Sequence, residues 1–171
     1  MTGPALLAAT LLSLAGAQKL VDPTSAVGAL RALGMPSSGA AVRIGSAVEL
    51  GLGVLAVVLG LPLLWWAVAA SYIGFTAFVA SALRHGTMIG SCGCFGRDDT
   101  PPHRTHIYLN LLMAAVAAAT PSFIDGSILD ALMGGGVRAA LLVGVVTIGV
   151  YLAYATYVLL PRTLTMANSR P

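Results

Sequence analysis

Long apolar runs with few charged residues dominate this chain and restrict it to one class of fold. Several runs approach the roughly 20 residues that an α-helix needs to cross a bilayer. Only 9% of the 171 residues are charged, whereas a soluble domain has about 25%. We therefore predict an all-α, polytopic membrane helical bundle, with a four-helix core and a fifth C-terminal transmembrane helix in one domain. The predicted spans are residues 4–19, 41–60, 63–84, 102–119 and 137–160.

The first apolar run has two interpretations. It lacks a basic start, but Ala15-Gly16-Ala17 resembles a signal-peptidase site, so a cleaved signal peptide is one alternative. The polar exit at Gln18-Lys19 favours a short retained helix instead. Asp22-Pro23 then interrupts the helix, and we expect a short interfacial helix from Thr24 to Leu33.

A carboxylate lies near the middle of the second predicted span. Placing Glu49 at this depth costs roughly 2.5–3.5 kcal/mol on insertion scales, so we expect it to face the bundle and to have a polar partner. One face of this helix has residues spaced by four, namely Ala41, Gly45, Glu49 and Gly53. The small residues among them would let another helix approach closely. The candidate partners are Lys19, His106 and Asn110. Glu49 is then either a hydrogen-bonded structural acid or a proton-handling residue.

Aromatic residues mark the third predicted span. Trp65 and Trp66 lie at its start, where interface anchors are common. Tyr72, Phe75 and Phe78 lie further along, and we interpret them as packing residues. An aromatic wall of this kind would also suit a quinone ring.

The polar loop after the third span contains both cysteines of the chain, Cys92 and Cys94. Two thiols one residue apart can cycle between dithiol and disulfide, bind a soft metal, or be inert. Gly93 tolerates the unusual backbone angles that a CxC disulfide requires, and strained bridges are the more labile and oxidising ones. Inert cysteines are usually buried singly. The pair therefore favours redox chemistry over the two alternatives.

Polar residues continue into the fourth predicted span. Asp99-Thr100-Pro101-Pro102 has the composition of a helix start, with Asp or Thr as the cap and proline in the first turn. His103, His106 and Asn110 follow at spacings of three and four, so they share one face. The positive end of this helix would lie near the cysteines and favour their thiolate forms.

Basic residues in the loops indicate membrane orientation rather than nucleic-acid binding. With five spans, all Lys and Arg residues except Arg138 fall on one side of the membrane. The positive-inside rule then places the CxC loop and the C-terminus in the cytoplasm. Exported disulfides form in the oxidising compartment outside, and a cleaved signal peptide would reverse the loops. Both orientations therefore remain open.

Four separated motifs resemble the MauE group of the DoxX-like membrane proteins, in the same order and over roughly residues 5 to 119. Lys19-Leu20-Val21-Asp22-Pro23 resembles the family's K-x-x-D-P signature, and Val48-Glu49-Leu50 resembles its buried L-E-L. Cys92-Gly93-Cys94-Phe95-Gly96 resembles its C-G-C-F-G, and Asn110-Leu111-Leu112 resembles its R-N-x-L. The arginine usual before the asparagine is Leu109 here.

This resemblance implies a redox-associated protein of the bacterial cytoplasmic membrane, and it leaves open whether the protein is itself an enzyme, a thiol-disulfide oxidoreductase. The family is implicated in forming disulfides in an exported enzyme subunit, beside a thioredoxin-like partner. Cys92 and Cys94 would exchange electrons between such a partner and a membrane carrier, by analogy a quinone. Glu49 and His106 would handle protons, and Lys19 and Asn110 would contribute to binding the carrier. Many members have no connection with methylamine, so that substrate is not implied.

Two other functions fit the same residues. The chain could bind or transport a soft metal, because thiolate, thioether and imidazole groups suit Cu(I) or Zn(II). The candidate ligands are Met88, Cys92, Cys94, His103 and His106. Alternatively, the chain could be a structural subunit of a membrane complex in which the CxC pair only staples a loop.

Overall fold

The computed structural model describes residues 2–84, 102–123, 127–133 and 136–168. Every regular element in these ranges is helical, which confirms the predicted all-α class. The helices are α1 (Thr2–Val21), α2 (Thr24–Ala32), α3 (Gly39–Leu59), α4 (Pro62–Arg84), α5 (Arg104–Ala119), α6 (Ile128–Met133) and α7 (Gly136–Asn168), with a 3-10 turn at Thr120–Ser122.

Four helices in the described ranges are long and apolar enough to cross a membrane. They are α1, α3, α4 and the Ala139–Thr156 part of α7. Helix α5 has 16 residues, and a helix of that length measures about 24 Å against a hydrocarbon core of about 30 Å. The described ranges therefore support an integral membrane protein with four candidate spans. The predicted span at residues 102–119 is not among them, so a total of five transmembrane helices is not supported.

Helix α1 is longer than the sequence predicted. It continues through Gln18-Lys19 to Val21. It ends there because Pro23 has no backbone N–H to donate to the helix. The Asp22 side chain then accepts the backbone N–H of Thr24 at 3.0 Å and so supports the start of α2. Lys19 is consequently a buried residue of a helix and not a loop residue. It therefore no longer counts among the basic loop residues from which the membrane orientation was predicted.

The ends of the other helices follow from individual residues. Gly34 has φ +72°, and it lets the N–H groups of Gly34 and Met35 bond back into α2 in a Schellman arrangement. The Ser38 hydroxyl accepts the N–H of Ala41 and caps α3. Gly60, at φ +64°, ends α3 directly before Pro62 begins α4. Helix α2 itself confirms the short helix that was predicted after Asp22-Pro23.

Helix α1 is the centre of the bundle. It runs antiparallel to α3, because Gly16 lies against Ser46 and Leu50, whereas Gly53 lies against Ala9. It runs parallel to α7, since Gly3 lies against Leu142 and Gly149 against Leu7. The buried core consists of side chains from α1, α4 and α5 together with Ala56 and Ile128.

One end of the bundle, here named the α2 end, is formed by α2, the C-terminus of α1 and the N-terminus of α3. Arg84, the last residue of α4, belongs to the same end because α4 runs parallel to α1. At the opposite end the Ser127 hydroxyl donates to the Val57 carbonyl at 3.2 Å. Helix α5 runs from the α2 end toward this opposite end.

Apolar side chains cover much of the outer surface. On α3 these exposed residues include Ile44, Val48 and Val54, and on α7 they include Val145 and Ile148. None of the Ala139–Thr156 window is buried within the chain. Such a surface is stable in contact with lipid or with another apolar helix, as expected for a membrane bundle.

The close contact of α1 with α3 depends on Gly16. A Cβ at this position would lie 2.6 Å from the Ser46 carbonyl oxygen and 2.8 Å from the Leu50 nitrogen. Both are backbone atoms, so the two helices would have to separate. We expect Gly16→Ala to destabilise the protein by about 1–3 kcal/mol, the usual cost of overpacking.

Thermal unfolding of the purified protein in detergent measures this loss. Gly51→Ala is the matched control, because a Cβ at Gly51 meets no atom within 4 Å. The control should retain or slightly raise the melting temperature, since alanine favours a helix over glycine. Equal melting temperatures for the two variants would contradict the packing argument.

Candidate functional site at the α2 end

A buried ion pair joins α1 to α3. The Lys19 Nζ lies 2.5 Å from the Glu49 Oε2, and the two side chains are 6% and 18% exposed. This contact confirms that Glu49 has a polar partner on another helix, and it selects Lys19 from the three candidates. Lys19 lies one helical turn after Gly16, so the close approach at Gly16 brings it within reach of Glu49.

The Lys19 ammonium also contacts α4. Its Nζ lies 4.8 Å from the ring centroid of Phe75, a distance typical of a cation–π interaction. Tyr72 supports this ring, because the two rings meet edge to face with centroids 6.1 Å apart. The Tyr72 hydroxyl donates to the Ala8 carbonyl at 2.7 Å, which fixes Tyr72 against α1. One ammonium therefore connects three helices.

A cleft of about 310 Å³ opens beside this ion pair. Its lining comes from α1, α2, the segment joining α2 to α3, and the facing sides of α3 and α4. Lys19 and Glu49 contribute the charged groups, whereas Phe75 and Phe78 contribute the aromatic wall. The cleft is thus apolar over most of its surface and charged at one place.

The predicted small-residue face of α3 has two different roles. Ala41, Gly45 and Glu49 line the cleft, and Gly45 has no atom within 4 Å of its missing Cβ. Gly53, the next residue on this face, instead packs against Ser13 of α1. Close helix packing was therefore predicted correctly only for the Gly53 end of the face.

Histidine side chains begin α5. His103 is the N-cap, and its Nδ1 accepts the backbone N–H of Thr105 at 3.2 Å. The Nδ1 of His106 accepts the backbone N–H of His103 at 3.3 Å, which completes a capping box. The prediction that Asp99 or Thr100 caps this helix is wrong, because an imidazole nitrogen replaces the side-chain oxygen.

These caps have a consequence for metal binding. A nitrogen that accepts an N–H bears no proton, so the neutral rings of His103 and His106 hold their protons on Nε2. Binding a metal through Nε2 requires that proton to leave or to move to Nδ1, where it would break the cap. The described residues contain no cluster of three metal-ligating side chains. Met88, Cys92 and Cys94 lie outside those residues.

The predicted site residues fall into two groups. Lys19 and Glu49 form the ion pair between α1 and α3. His106 and Asn110 are both buried on the inner face of α5, and neither lines the cleft. The CxC pair, Cys92 and Cys94, lies outside the described residues. Its flanking residues Arg84 and Pro102 both belong to the α2 end.

Sequence reasoning missed the contribution of α2 to this site. Ala26 and Leu30 line the cleft, and Ala29 is buried in a small cluster with Ala82 of α4. The available signal was weak, because it consisted only of a short amphipathic segment between a proline and a glycine. Phe75 and Phe78 were recognised as an aromatic wall, but their contact with the lysine was not.

We expect loss of the lysine alone to be costly. Lys19→Met leaves the Glu49 carboxylate buried without its cation, and such a change typically costs about 3–5 kcal/mol. The double variant Lys19→Met/Glu49→Gln removes both charges and should recover most of that loss. The exposed cation of Arg43→Met is the control, with an expected change within about 0.5 kcal/mol.

Unfolding in detergent, followed by circular dichroism, compares the four proteins. A Lys19→Met variant as stable as the Arg43→Met control would show that the ion pair does not stabilise the bundle.

One family model matches this chain, and its description is "Methylamine utilisation protein MauE". The match covers residues 2–123 and therefore includes α1 to α5, the ion pair and the loop with both cysteines. Comparison with the curated proteins and with the solved structures gave no match. Since the family model spans well over half of the 171 residues, the chain belongs to the MauE family of membrane proteins.

Proposed function

We propose that this protein is a membrane thiol–disulfide redox protein. Cys92 and Cys94 exchange a disulfide with a thioredoxin-like partner and pass electrons to or from a quinone-like carrier in the bilayer. The observation that supports the proposal is the position of Arg84 and Pro102, the described residues on either side of the CxC loop. Both residues belong to the same end of the bundle as the buried Lys19–Glu49 pair.

The proposed reaction has two half-steps. In the oxidising direction, a partner dithiol reduces the Cys92–Cys94 disulfide, and the partner leaves with its own disulfide. The two thiols of Cys92 and Cys94 then lose two electrons and two protons and form their disulfide again. A quinone that gains the same two electrons and two protons becomes the quinol, so the step balances.

Protons have to move in this second half-step, and the ionisable groups at the α2 end support a role in that transfer. Glu49 is a carboxylate at the α2 end, and its partner Lys19 is a proton donor. His106 is buried at the start of α5 and connects to the backbone of His103. Glu49 and His106 are therefore our proposed proton-handling residues. Asn110 is a buried polar residue four positions after His106 on α5.

The side of the membrane that the CxC loop faces determines which partner proteins it can react with. The basic residues at the α2 end still outnumber those at the opposite end after Lys19 is removed from the count, so this end is proposed to face the cytoplasm of a bacterial cytoplasmic membrane. Cytoplasmic thiols are kept reduced, and the partner would then be a cytosolic thioredoxin. With the opposite orientation, the pair would oxidise exported proteins.

The family description names methylamine utilisation. Forming or rearranging disulfides during the maturation of an enzyme is compatible with methylamine utilisation. The proposed thiol–disulfide chemistry does not depend on methylamine as a substrate. The soft-metal alternative is weakened by the two capping histidines, which use Nδ1 as an acceptor.

We expect Cys92 and Cys94 to form a reversible intramolecular disulfide. Thiol trapping with a maleimide, after equilibration in buffers of graded redox potential, should show a single two-electron transition. Cys92→Ser and Cys94→Ser are matched controls, and each should leave one thiol that is trapped throughout.

Free thiols in the wild-type protein, even in oxidising buffer, would contradict the redox proposal. Metal analysis of the same sample tests the alternative, because stoichiometric copper or zinc would support a metal-binding protein instead.

A further inference from the structure

The cleft beside the Lys19–Glu49 pair has the composition of a ligand site and not of a packing defect. Its volume of about 310 Å³ lies at the lower end of the range for small-molecule pockets, about 300–1,000 Å³. Phe75 and Phe78 give it an aromatic wall, and one ion pair gives it polarity. Ligand sites of this kind combine an apolar lining with a few polar groups that orient the ligand.

The ammonium of Lys19 has capacity for a ligand. It has three N–H donors, and its contacts within the described residues are one carboxylate oxygen and one aromatic ring. The ammonium lines the cleft together with its partner carboxylate. A neutral ligand with a carbonyl oxygen could therefore accept a hydrogen bond from Lys19 without breaking the ion pair.

The cleft is also open on its α3 side. Ala41 and Gly45 are exposed, and both line the cleft. The neighbouring exposed side chains on α3, such as Ile44 and Val48, are apolar and suited to lipid. A ligand dissolved in the bilayer could consequently enter from the side, with its hydrocarbon tail left among the lipids.

We propose that this cleft binds the ring of a lipid-soluble carbonyl carrier of the quinone class, an inference that rests on the proposed redox function. The flat ring lies against Phe75 and Phe78, and Lys19 donates a hydrogen bond to one carbonyl oxygen. Lys19 passes one proton to that oxygen as the ring is reduced. The Glu49 carboxylate accepts the protons that the two thiols release and returns them to Lys19 and to the second ring oxygen, so two protons and two electrons leave the thiols and reach the ring. The two thiols of Cys92 and Cys94 supply the electrons and become the disulfide.

Gly45 provides the sharpest test of the site. Gly45→Leu places an isobutyl group into the cleft without a backbone clash, because nothing lies within 4 Å of the added Cβ. Gly51→Leu makes the same change on the same helix, also in open space and outside the cleft. Neither residue belongs to the proposed redox or proton-handling groups, and both variants should fold.

The probe is decyl-benzoquinone, added to the full chain in detergent, with binding measured by equilibrium dialysis. We expect the wild-type protein and Gly51→Leu to bind it equally and Gly45→Leu to bind it at least tenfold more weakly. Decylcyclohexane, which has no carbonyl group, should not compete. Equal binding by the two leucine variants, or equal competition by decylcyclohexane, would overturn the assignment of the site.

A second readout separates this inference from the proposed function. Reduced Cys92 and Cys94 should be oxidised by decyl-benzoquinone in Gly51→Leu but at least tenfold more slowly in Gly45→Leu. Both variants should exchange disulfides equally with a soluble dithiol. If the wild-type thiols do not cycle with the dithiol, the proposed function fails. If they cycle but the two variants are oxidised equally by the quinone, only the site fails.

Discussion

The ion pair of Lys19 with Glu49 is the interaction on which the α2 end depends. A carboxylate within an apolar span is stable only with a partner, and the lysine at the end of α1 provides it. The same ammonium rests against Phe75, so one charge connects α1, α3 and α4. Gly16 permits this contact because it lets the backbones of α1 and α3 approach closely.

This arrangement explains how two charged side chains can be buried at one end of a largely apolar bundle. The pair is largely buried and borders the cleft, so protein covers most of its charged surface. The capping histidines begin α5 at the same end. Ionisable groups, the cleft and the described residues that flank the CxC loop therefore lie at the same end of the bundle.

The sequence predicted features that depend on local chemistry. Glu49 had to be paired because of its depth in an apolar run, and Gly34 and Pro23 marked real helix ends. The choice of Lys19 over His106 or Asn110 depended on how closely α1 and α3 pack, which one sequence does not reveal. The cap at His103 was missed because histidine is a rare N-cap. The cleft was missed because it requires the tertiary position of α2.

The central claim is that Glu49 couples the thiols to a membrane carrier. The most direct measurement is the rate at which decyl-benzoquinone oxidises the reduced CxC pair in Glu49→Gln. Glutamine keeps an oxygen for Lys19 but cannot exchange a proton, so we predict at least a tenfold slower oxidation with unchanged dithiol exchange. An unchanged rate, in a variant whose melting temperature shows it to be folded, would contradict the account.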